Sequence, residues 1–104
     1  MKVDVDAPVD TIKALSEPMR WRIVELLAGE ELCVCHLVEE LDVPQPLVSH
    51  HLKVLRDAGL VESSKYRYWT YYRLRAAHVA DAARALQQLA DTAPAGGDRR
   101  RPCC

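Results

Sequence analysis

Apolar residues recur at intervals of three and four along most of this chain, the spacing that places side chains on one face of an α-helix. The segment SEPMRWRIVELLAG predicts a helix with Ser16 as N-cap, Pro18 in its first turn and Gly29 at its end. Ahead of it, a short helical pattern runs from about Asp10 to Leu15. The chain therefore begins with two helices.

A second pair of helices follows, joined by a sharp turn. The stretch VCHLVEELD repeats the helical pattern and ends before VPQP. Beyond the turn, Pro46 suits a first helical turn, and Val48, Leu52 and Leu55 form an apolar stripe that ends before Gly59. Two short helices with a tight turn, the second with a polar outer face, predict a helix-turn-helix.

The C-terminal third predicts a β-hairpin and a further helix. LVESSKYRYWTYYRL is rich in β-formers, and a turn near residues 65–67 puts basic side chains at the hairpin tip, as in the wing of a winged helix. In AAHVADAARALQQLAD an apolar face with small residues has no place in a small core, so we expect it to pair with a second copy. The fold class is thus α+β, mainly α: a winged helix-turn-helix with terminal dimerisation helices over residues 1–92, and a flexible tail over 93–104.

Composition fits this picture and limits the function classes. A chain of 104 residues with 49% hydrophobic content forms one domain. It contains no apolar run of membrane-spanning length, and MKVDVDAPVD lacks the features of a signal peptide, so we expect a cytoplasmic protein without membrane contact. Four cysteines in a reducing compartment are more typical of metal ligands or reactive thiols than of disulfides.

The net charge of −1 conceals a basic centre. Residues 1–43 carry four basic and ten acidic groups, whereas residues 44–75 carry six basic and two acidic groups, a balance of +4. This basic segment contains the second helix of the predicted helix-turn-helix and the hairpin, which indicates a nucleic-acid-binding face. The residues predicted to contact DNA are Gln45, Ser49, His50 and Lys53 on the helix, and Lys65 and Arg67 on the wing.

Two cysteines one residue apart, in ELCVCHL, pose a geometric problem. If both belong to a helix, Cys33 and Cys35 point to nearly opposite sides and cannot share one ion without distorting the backbone. Thiolates select soft or borderline ions such as As(III), Sb(III), Cd(II), Pb(II) and Zn(II). The hypothesis that follows is a switch, in which the shared ion unwinds the first turn of the helix before the recognition helix.

ELCVCHL, VPQPLVSHHLKVLRDAGLV and a hairpin ending in WTYYRL occur in this order. Together they resemble the ArsR/SmtB family of metal-responsive repressors over about residues 10–90, and the cysteine phrase resembles its arsenic-responsive and cadmium/lead-responsive branches. The resemblance implies a homodimer that binds operator DNA when metal-free, without a cofactor, and dissociates when a thiophilic ion binds. A symmetric dimer predicts inverted half-sites about one helical turn apart, roughly 10–10.5 bp.

The chain departs from the arsenic branch at two positions of the cysteine phrase. His36 stands where that branch has an acidic residue, and Val38 stands where it has a third cysteine. The candidate metal ligands are therefore Cys33 and Cys35, with a third thiolate from Cys103 or Cys104 on the tail. Three sulfurs suit As(III) or Sb(III), the expected inducers, whereas four sulfurs, or three with His36, suit Cd(II) or Zn(II).

Other functions remain as alternatives at this point. A Cd(II), Pb(II) or Zn(II) sensor and a thiol-redox sensor would use the same fold, the latter through a Cys33–Cys35 or tail disulfide. An enzyme such as a thiol oxidoreductase would need a C-x-x-C motif or an anion-binding loop around its cysteine, and the sequence has neither. A metallochaperone would have no use for the basic helix and hairpin. The sequence therefore favours a repressor.

Overall fold

The structure is a computed structural model that describes residues 6–97 and 100–103. The described part contains five helices and three strands. In chain order they are α1 (Asp6–Leu15), α2 (Pro18–Gly29), β1 (Leu32–Cys33), α3 (Val34–Leu41), α4 (Gln45–Asp57), β2 (Val61–Tyr66), β3 (Trp69–Leu74) and α5 (Ala76–Thr92). This is the predicted winged helix-turn-helix, mainly helical, with β2 and β3 forming the wing.

The first two helices differ from the prediction at their N-termini. Helix α1 begins at Asp6 rather than near Asp10, because Pro8 is tolerated within a first helical turn. Helix α2 is capped by Glu17, whose carboxylate accepts a hydrogen bond from the backbone N–H of Arg20 at 2.9 Å. The prediction of Ser16 as N-cap is wrong, because the Ser16 hydroxyl donates instead to the carbonyl of Lys13 at the end of α1.

The helix-turn-helix consists of α3 and α4. The turn between them is made by Asp42, which adopts the left-handed conformation at φ 53°, and by Pro44, the N-cap of α4. The predicted stripe of α4 is buried, with Val48 and Leu55 fully inaccessible. These side chains join Ile23 and other residues of α2, α3 and β2 in one core.

The sheet has the order β1-β3-β2 and is antiparallel throughout. Its wing pairs Tyr66 with Trp69, so the turn contains Arg67 and Tyr68. Lys65 lies inside strand β2 opposite Thr70, which corrects the prediction of a turn starting at that residue. Arg67 takes φ 60°, a value that tight hairpin turns usually give to glycine or asparagine, so this turn forms without the residue signal by which sequence recognises it.

Helix α5 packs against α1 and supplies Ala82 to the buried side of that contact. Leu86 and Leu89, predicted for its dimerisation face, are 52% and 71% exposed in the single chain. After Thr92, residues 93–97 and 100–103 form neither helix nor strand, while Cys104 lies outside the described residues. Among the described helices, none combines the length and the apolar character needed to span a bilayer.

Candidate thiol centre and DNA interface

Cys33 and Cys35 meet at the junction between β1 and α3. Cys33 is the last residue of β1 and the N-cap of α3, with extended backbone at φ −90° and ψ 169°. Its sulfur lies 2.7 Å from the sulfur of Cys35 and 3.2 Å from Nδ1 of His36. The three potential ligand atoms all lie within 4.8 Å of one another. We call this group, Cys33, Cys35 and His36, the thiol centre.

The observed geometry of the thiol centre contradicts the expectation that Cys33 and Cys35 point to opposite sides of one helix. That expectation assumed helical positions for both cysteines, but Cys33 precedes the helix and its side chain is not placed by the helical period. The sulfurs are already adjacent while α3 is intact from Val34 onwards. The hypothesis that a shared ion must unwind the first turn of this helix is therefore wrong in its premise.

Local contacts hold the three side chains together. The backbone N–H of Cys33 donates to Nδ1 of His36 at 3.2 Å, so the side chain at N3 accepts from the N-cap backbone as in a capping box. This assigns the imidazole proton to Nε2 and directs the Nδ1 lone pair toward Cys33, whose sulfur lies 3.2 Å from the same nitrogen. Cys33 is 5% exposed, Cys35 is exposed and His36 is half-buried, so a ligand can reach the centre from the Cys35 side.

The two thiols differ in acidity. Burial raises the pKa of Cys33, but the hydrogen bond from the Cys35 thiol and the backbone N–H groups of His36 and Cys35 lower it more, and its pKa falls below the ordinary value. The pKa of Cys35 is raised by its hydrogen bond to Cys33, by burial and by the charge of the Cys33 thiolate. Cys33 is therefore the first thiolate of the pair, and Cys35 keeps the shared proton.

The donor set suits a soft or borderline ion. Two sulfurs and one imidazole nitrogen match the ligand types of thiophilic metals and metalloids. At a tetrahedral ion with sulfur bonds of ~2.3 Å, two sulfurs are separated by roughly 3.8 Å. The two sulfurs are thus close enough for one ion to bind both, and rotation of the exposed Cys35 side chain can adjust their separation without loss of the helix.

The tail cysteines are not part of this group. Cys103 is exposed and lies outside the cluster of three donors, and Cys104 is not among the described residues. Their predicted role as a source of a third thiolate stays a prediction. Within the described residues, His36 is the third donor that the structure brings to the cysteines, a role that the sequence analysis considered only in combination with three sulfurs.

The predicted DNA-contacting residues of α4 share one exposed face. Gln45, Ser49, His50 and Lys53 are all exposed, whereas Val48, His51 and Leu52 point into the protein. The Lys53 ammonium lies 3.0 Å from the carboxylate of Asp57, an exposed pair that a phosphate can replace at little cost. This exposed face carries the hydrogen-bonding side chains that a recognition helix uses to contact bases and phosphates.

The wing carries the other two predicted DNA contacts. Lys65 and Arg67 are exposed, and the Arg67 guanidinium lies 5.5 Å from the centre of the Tyr66 ring. At the tip of the wing, Tyr68 is 94% exposed. Its side chain offers both an apolar ring and a hydroxyl, and the sequence analysis did not single it out. In a two-residue hairpin loop the side chains stand clear of the sheet, so knowledge of the turn position would have identified it.

The thiol centre is connected to the wing. Strand β1 pairs with β3 through Leu32 with Tyr72 and Cys33 with Tyr71, and the His36 ring lies 6.3 Å from the Tyr71 ring. On its other side the centre caps α3, the first helix of the helix-turn-helix. Cys33 therefore contacts both the wing, through β3, and the helix-turn-helix, through α3.

Comparison with known proteins places this fold and site in a family. Residues 17–63 match the model of bacterial regulatory proteins of the arsR family. An HTH-type transcriptional regulator of Methanocaldococcus jannaschii is 37% identical over 83 residues, which are 79% of this chain and 89% of that protein. The chain belongs to the ArsR family, whose members are DNA-binding transcriptional regulators and not enzymes.

Two further relatives bear on regulation and assembly. The arsenical resistance operon repressor of Escherichia coli K12 is 44% identical over 68 residues, 64% of this chain, and the chain spans 58% of that repressor's length. A homodimeric winged helix-turn-helix DNA-binding domain of Mycobacterium bovis, a possible ArsR-family regulator, superimposes with a TM-score of 0.70 at 28% identity, covering 86% of this chain and 88% of that one. The family resemblance seen in the sequence is thus confirmed.

Proposed function

We propose that this chain is a homodimeric repressor that leaves its operator when the thiol centre binds As(III) or Sb(III). The observation that carries the proposal is the approach of Cys33 and Cys35 to 2.7 Å, with His36 beside them, at the start of the helix-turn-helix. Thiolates bind soft ions, and here they lie at the N-terminus of α3, so ion binding would act directly on the helix-turn-helix. The E. coli relative, an arsenical resistance operon repressor, supports the choice of ion.

The DNA partner in this proposal is a duplex operator with inverted half-sites. Helix α4 would read bases with Gln45, Ser49 and His50, and Lys53 would contact phosphate. Lys65 and Arg67 would contact the backbone or the minor groove beside each half-site. The binding event takes place in the cytoplasm, where the operator is.

The homodimer is supported by apolar side chains on the two helices outside the DNA-binding unit. Val9 and Ile12 of α1 and Leu86 and Leu89 of α5 are between 38% and 71% exposed, although α1 and α5 pack on each other. Large apolar side chains on adjacent helices are typical of an interface that a second copy covers. The homodimeric domain of M. bovis has the same fold.

Release follows from the position of the thiol centre between the wing and α3. We expect an ion bound to both sulfurs to constrain Cys33, the residue that ends β1 and caps α3, and so to shift β1, the N-terminus of α3 or both. Since β1 pairs with β3 and α3 packs on α4, either movement changes the relative placement of wing and recognition helix. DNA and ion therefore favour different arrangements, which is the condition for allosteric release.

The test is fluorescence anisotropy of the reduced protein on DNA from its own promoter, titrated with As(III) and separately with Cd(II) and Zn(II). We expect stoichiometric As(III) to release the DNA, and Cys33→Ser and Cys35→Ser to bind DNA normally without responding. A repressor whose DNA complex no ion dissociates would contradict the proposal.

The third ligand is determined by two matched variants in the same assay. In the proposal the tail donates Cys103 or Cys104 as third thiolate to As(III), and truncation after Arg101 then weakens the As(III) response at least tenfold. His36→Gln, which removes the imidazole and keeps a polar side chain, should weaken the response to Cd(II) and Zn(II) instead. An unchanged As(III) response in the truncated chain would leave His36 as the third donor.

The sulfur separation also favours a second candidate, a thiol-redox repressor. Peroxide would oxidise the two thiols to a Cys33–Cys35 disulfide, with two protons and two electrons passing to peroxide to form two waters. The acidic Cys33 thiol would be the attacking group. This candidate predicts release of DNA by peroxide in the absence of any metal, with recovery on addition of a dithiol reductant.

A further inference from the structure

A buried histidine on α4 connects this helix to both N-terminal helices. The side chain of His51 is 9% exposed, and its Nδ1 lies 3.1 Å from Nη1 of Arg20. Because guanidinium groups only donate, Nδ1 is the acceptor and the imidazole proton belongs on Nε2. The same guanidinium donates through Nε to the carbonyl of Ala14 at 2.7 Å. Arg20 thus joins α1, α2 and α4.

The second nitrogen of His51 faces Glu17. Oε2 of this carboxylate lies 3.9 Å from His51 Nε2 and accepts the backbone N–H of Arg20 at 2.9 Å, which caps α2. Both sides of the imidazole are therefore oriented toward charged groups in the first turn of α2. We call Glu17, Arg20 and His51 the helix clamp.

The helix clamp lies directly behind the DNA-facing surface. His51 follows His50 in the chain, and the centres of the two rings are 5.3 Å apart. The apolar stripe of α4 holds the helix in the core but is nondirectional, because dispersion and burial depend weakly on small rotations. Two hydrogen bonds from one planar guanidinium fix a direction. The clamp therefore fixes the rotation of α4 relative to α1, one of the helices of the proposed dimer frame.

We propose that the helix clamp positions the recognition helix for half-site readout, and that protonation of His51 releases it and reduces the preference for operator DNA at acidic pH. The inference rests on the proposed operator binding. A protonated Nδ1 can no longer accept the Arg20 hydrogen bond and places a positive charge beside the guanidinium. The imidazolium is also attracted to the carboxylate of Glu17. This attraction competes with the hydrogen bond through which the same carboxylate caps α2.

The surroundings of His51 keep its ring neutral at neutral pH and shift its protonation to more acidic pH. Burial lowers the pKa of His51, Arg20 and His50 lower it further by repulsion, and Glu17 opposes them; the net pKa lies below the ordinary value. The ring is thus neutral and clamped near pH 7.5. The charged groups that line the groove beside Arg20, between α1, α2 and α4, are Asp10, Lys13 and Asp57.

The experiment compares the affinities of the reduced, ion-free protein for promoter DNA and for a scrambled duplex of equal length at pH 7.5 and 5.5. We expect the ratio of the two affinities in the wild type to fall at least about fivefold, the lower end of typical coupling between sites. In His51→Gln the amide oxygen can accept from Arg20 and does not titrate, so the ratio should stay constant. His78→Gln on α5, a histidine outside both the thiol centre and the predicted DNA-contacting residues, is the control and should keep the wild-type pH dependence.

Equal pH dependence in the wild type and in His51→Gln would overturn the proposal. No preference for promoter DNA at pH 7.5 in any variant would instead contradict the proposed function. The helix clamp is then tested by NMR on the protein alone. In NMR spectra the Arg20 Nε–H resonance should follow the titration of His51 and stay fixed in His51→Gln. If the Arg20 Nε–H resonance does not shift as His51 titrates, the proposed helix clamp is wrong.

Discussion

Helix α4 and the junction of β1 with α3 are neighbouring segments that are specified in different ways. In α4 the apolar positions repeat with the helical period, and Val48, Leu52 and Leu55 are buried as that period requires. At the junction, the position of Cys33 depends on pairing with Tyr71 in β3, which lies far away in the chain. The comparison contrasts a buried helix that local pattern defines with a candidate ion-binding site that contacts between distant segments define.

The framework side of this comparison is tested most directly by Leu55→Ala. Leu55 is fully buried, so truncation should lower the free energy of unfolding by about 2–5 kcal/mol. Leu47 in the same helix is 39% exposed, and Leu47→Ala should cost less than about 1 kcal/mol. Urea unfolding followed by circular dichroism measures both. Similar losses for the two variants would mean that α4 is not anchored by its stripe.

The responsive side is tested by ligand-induced stabilisation. As(III) at about 100 times its dissociation constant should stabilise the wild type by roughly 2.7 kcal/mol, since only the folded chain brings the thiols together. Cys33→Ser should show no such increase in Tm, and a serine at this N-cap should leave the helix formed. Equal stabilisation of wild type and variant would exclude Cys33 as a ligand.

Substitution of Gly59, just beyond the C-cap of α4, should destabilise the fold because of the backbone conformation at this position. Its φ is +80°, and an added Cβ would lie 2.7 Å from Nε2 of His78 on α5. Gly59→Ala should therefore destabilise the chain by about 1–2 kcal/mol. Gly29→Ala at the end of α2 is the matched control, with open space around the new methyl group, and should be neutral or stabilising by up to about 1 kcal/mol. Thermal melts of the two variants separate these expectations.

The smallest effect is expected at the wing. Lys65→Ala and Arg67→Asn should each reduce the slope of log affinity against log salt concentration by about 1 if each cation contacts a phosphate. Asparagine tolerates the positive φ at position 67 and so removes the charge without changing the turn. Arg84→Gln on α5 is the control and should keep the wild-type slope. An unchanged slope in the two wing variants would remove the wing from the DNA interface.

Several features could be predicted because they are written in local sequence. The buried stripe of α4, its end shortly before Gly59 and the hairpin after it all follow from periodicity, turn residues and β-propensity. The exposure of Gln45, Ser49, His50 and Lys53 follows from the same period, because residues opposite an apolar stripe face solvent. For these segments, pattern and tertiary structure agree.

Other features needed the folded chain. Strand β1 has two residues and carries no period, so the sequence extended the helical pattern back over Cys33. The N-cap of α2 is Glu17 rather than Ser16, because the helix starts at Pro18, two residues after Ser16, and the Ser16 hydroxyl bonds to the end of α1 instead. The partners Arg20 and His51 are 31 positions apart, and an isolated arginine and histidine give no signal of that contact.

The sequence by itself determined the class of fold, the polar face of α4 and the presence of two thiols at the start of the helix-turn-helix, because each depends on residues close together in the chain. The tertiary structure decided that the thiols already meet, that His36 joins them and that Arg20 clamps His51. Those contacts depend on backbone direction at one residue and on pairing between distant segments. Neither is encoded in the spacing of apolar and polar positions.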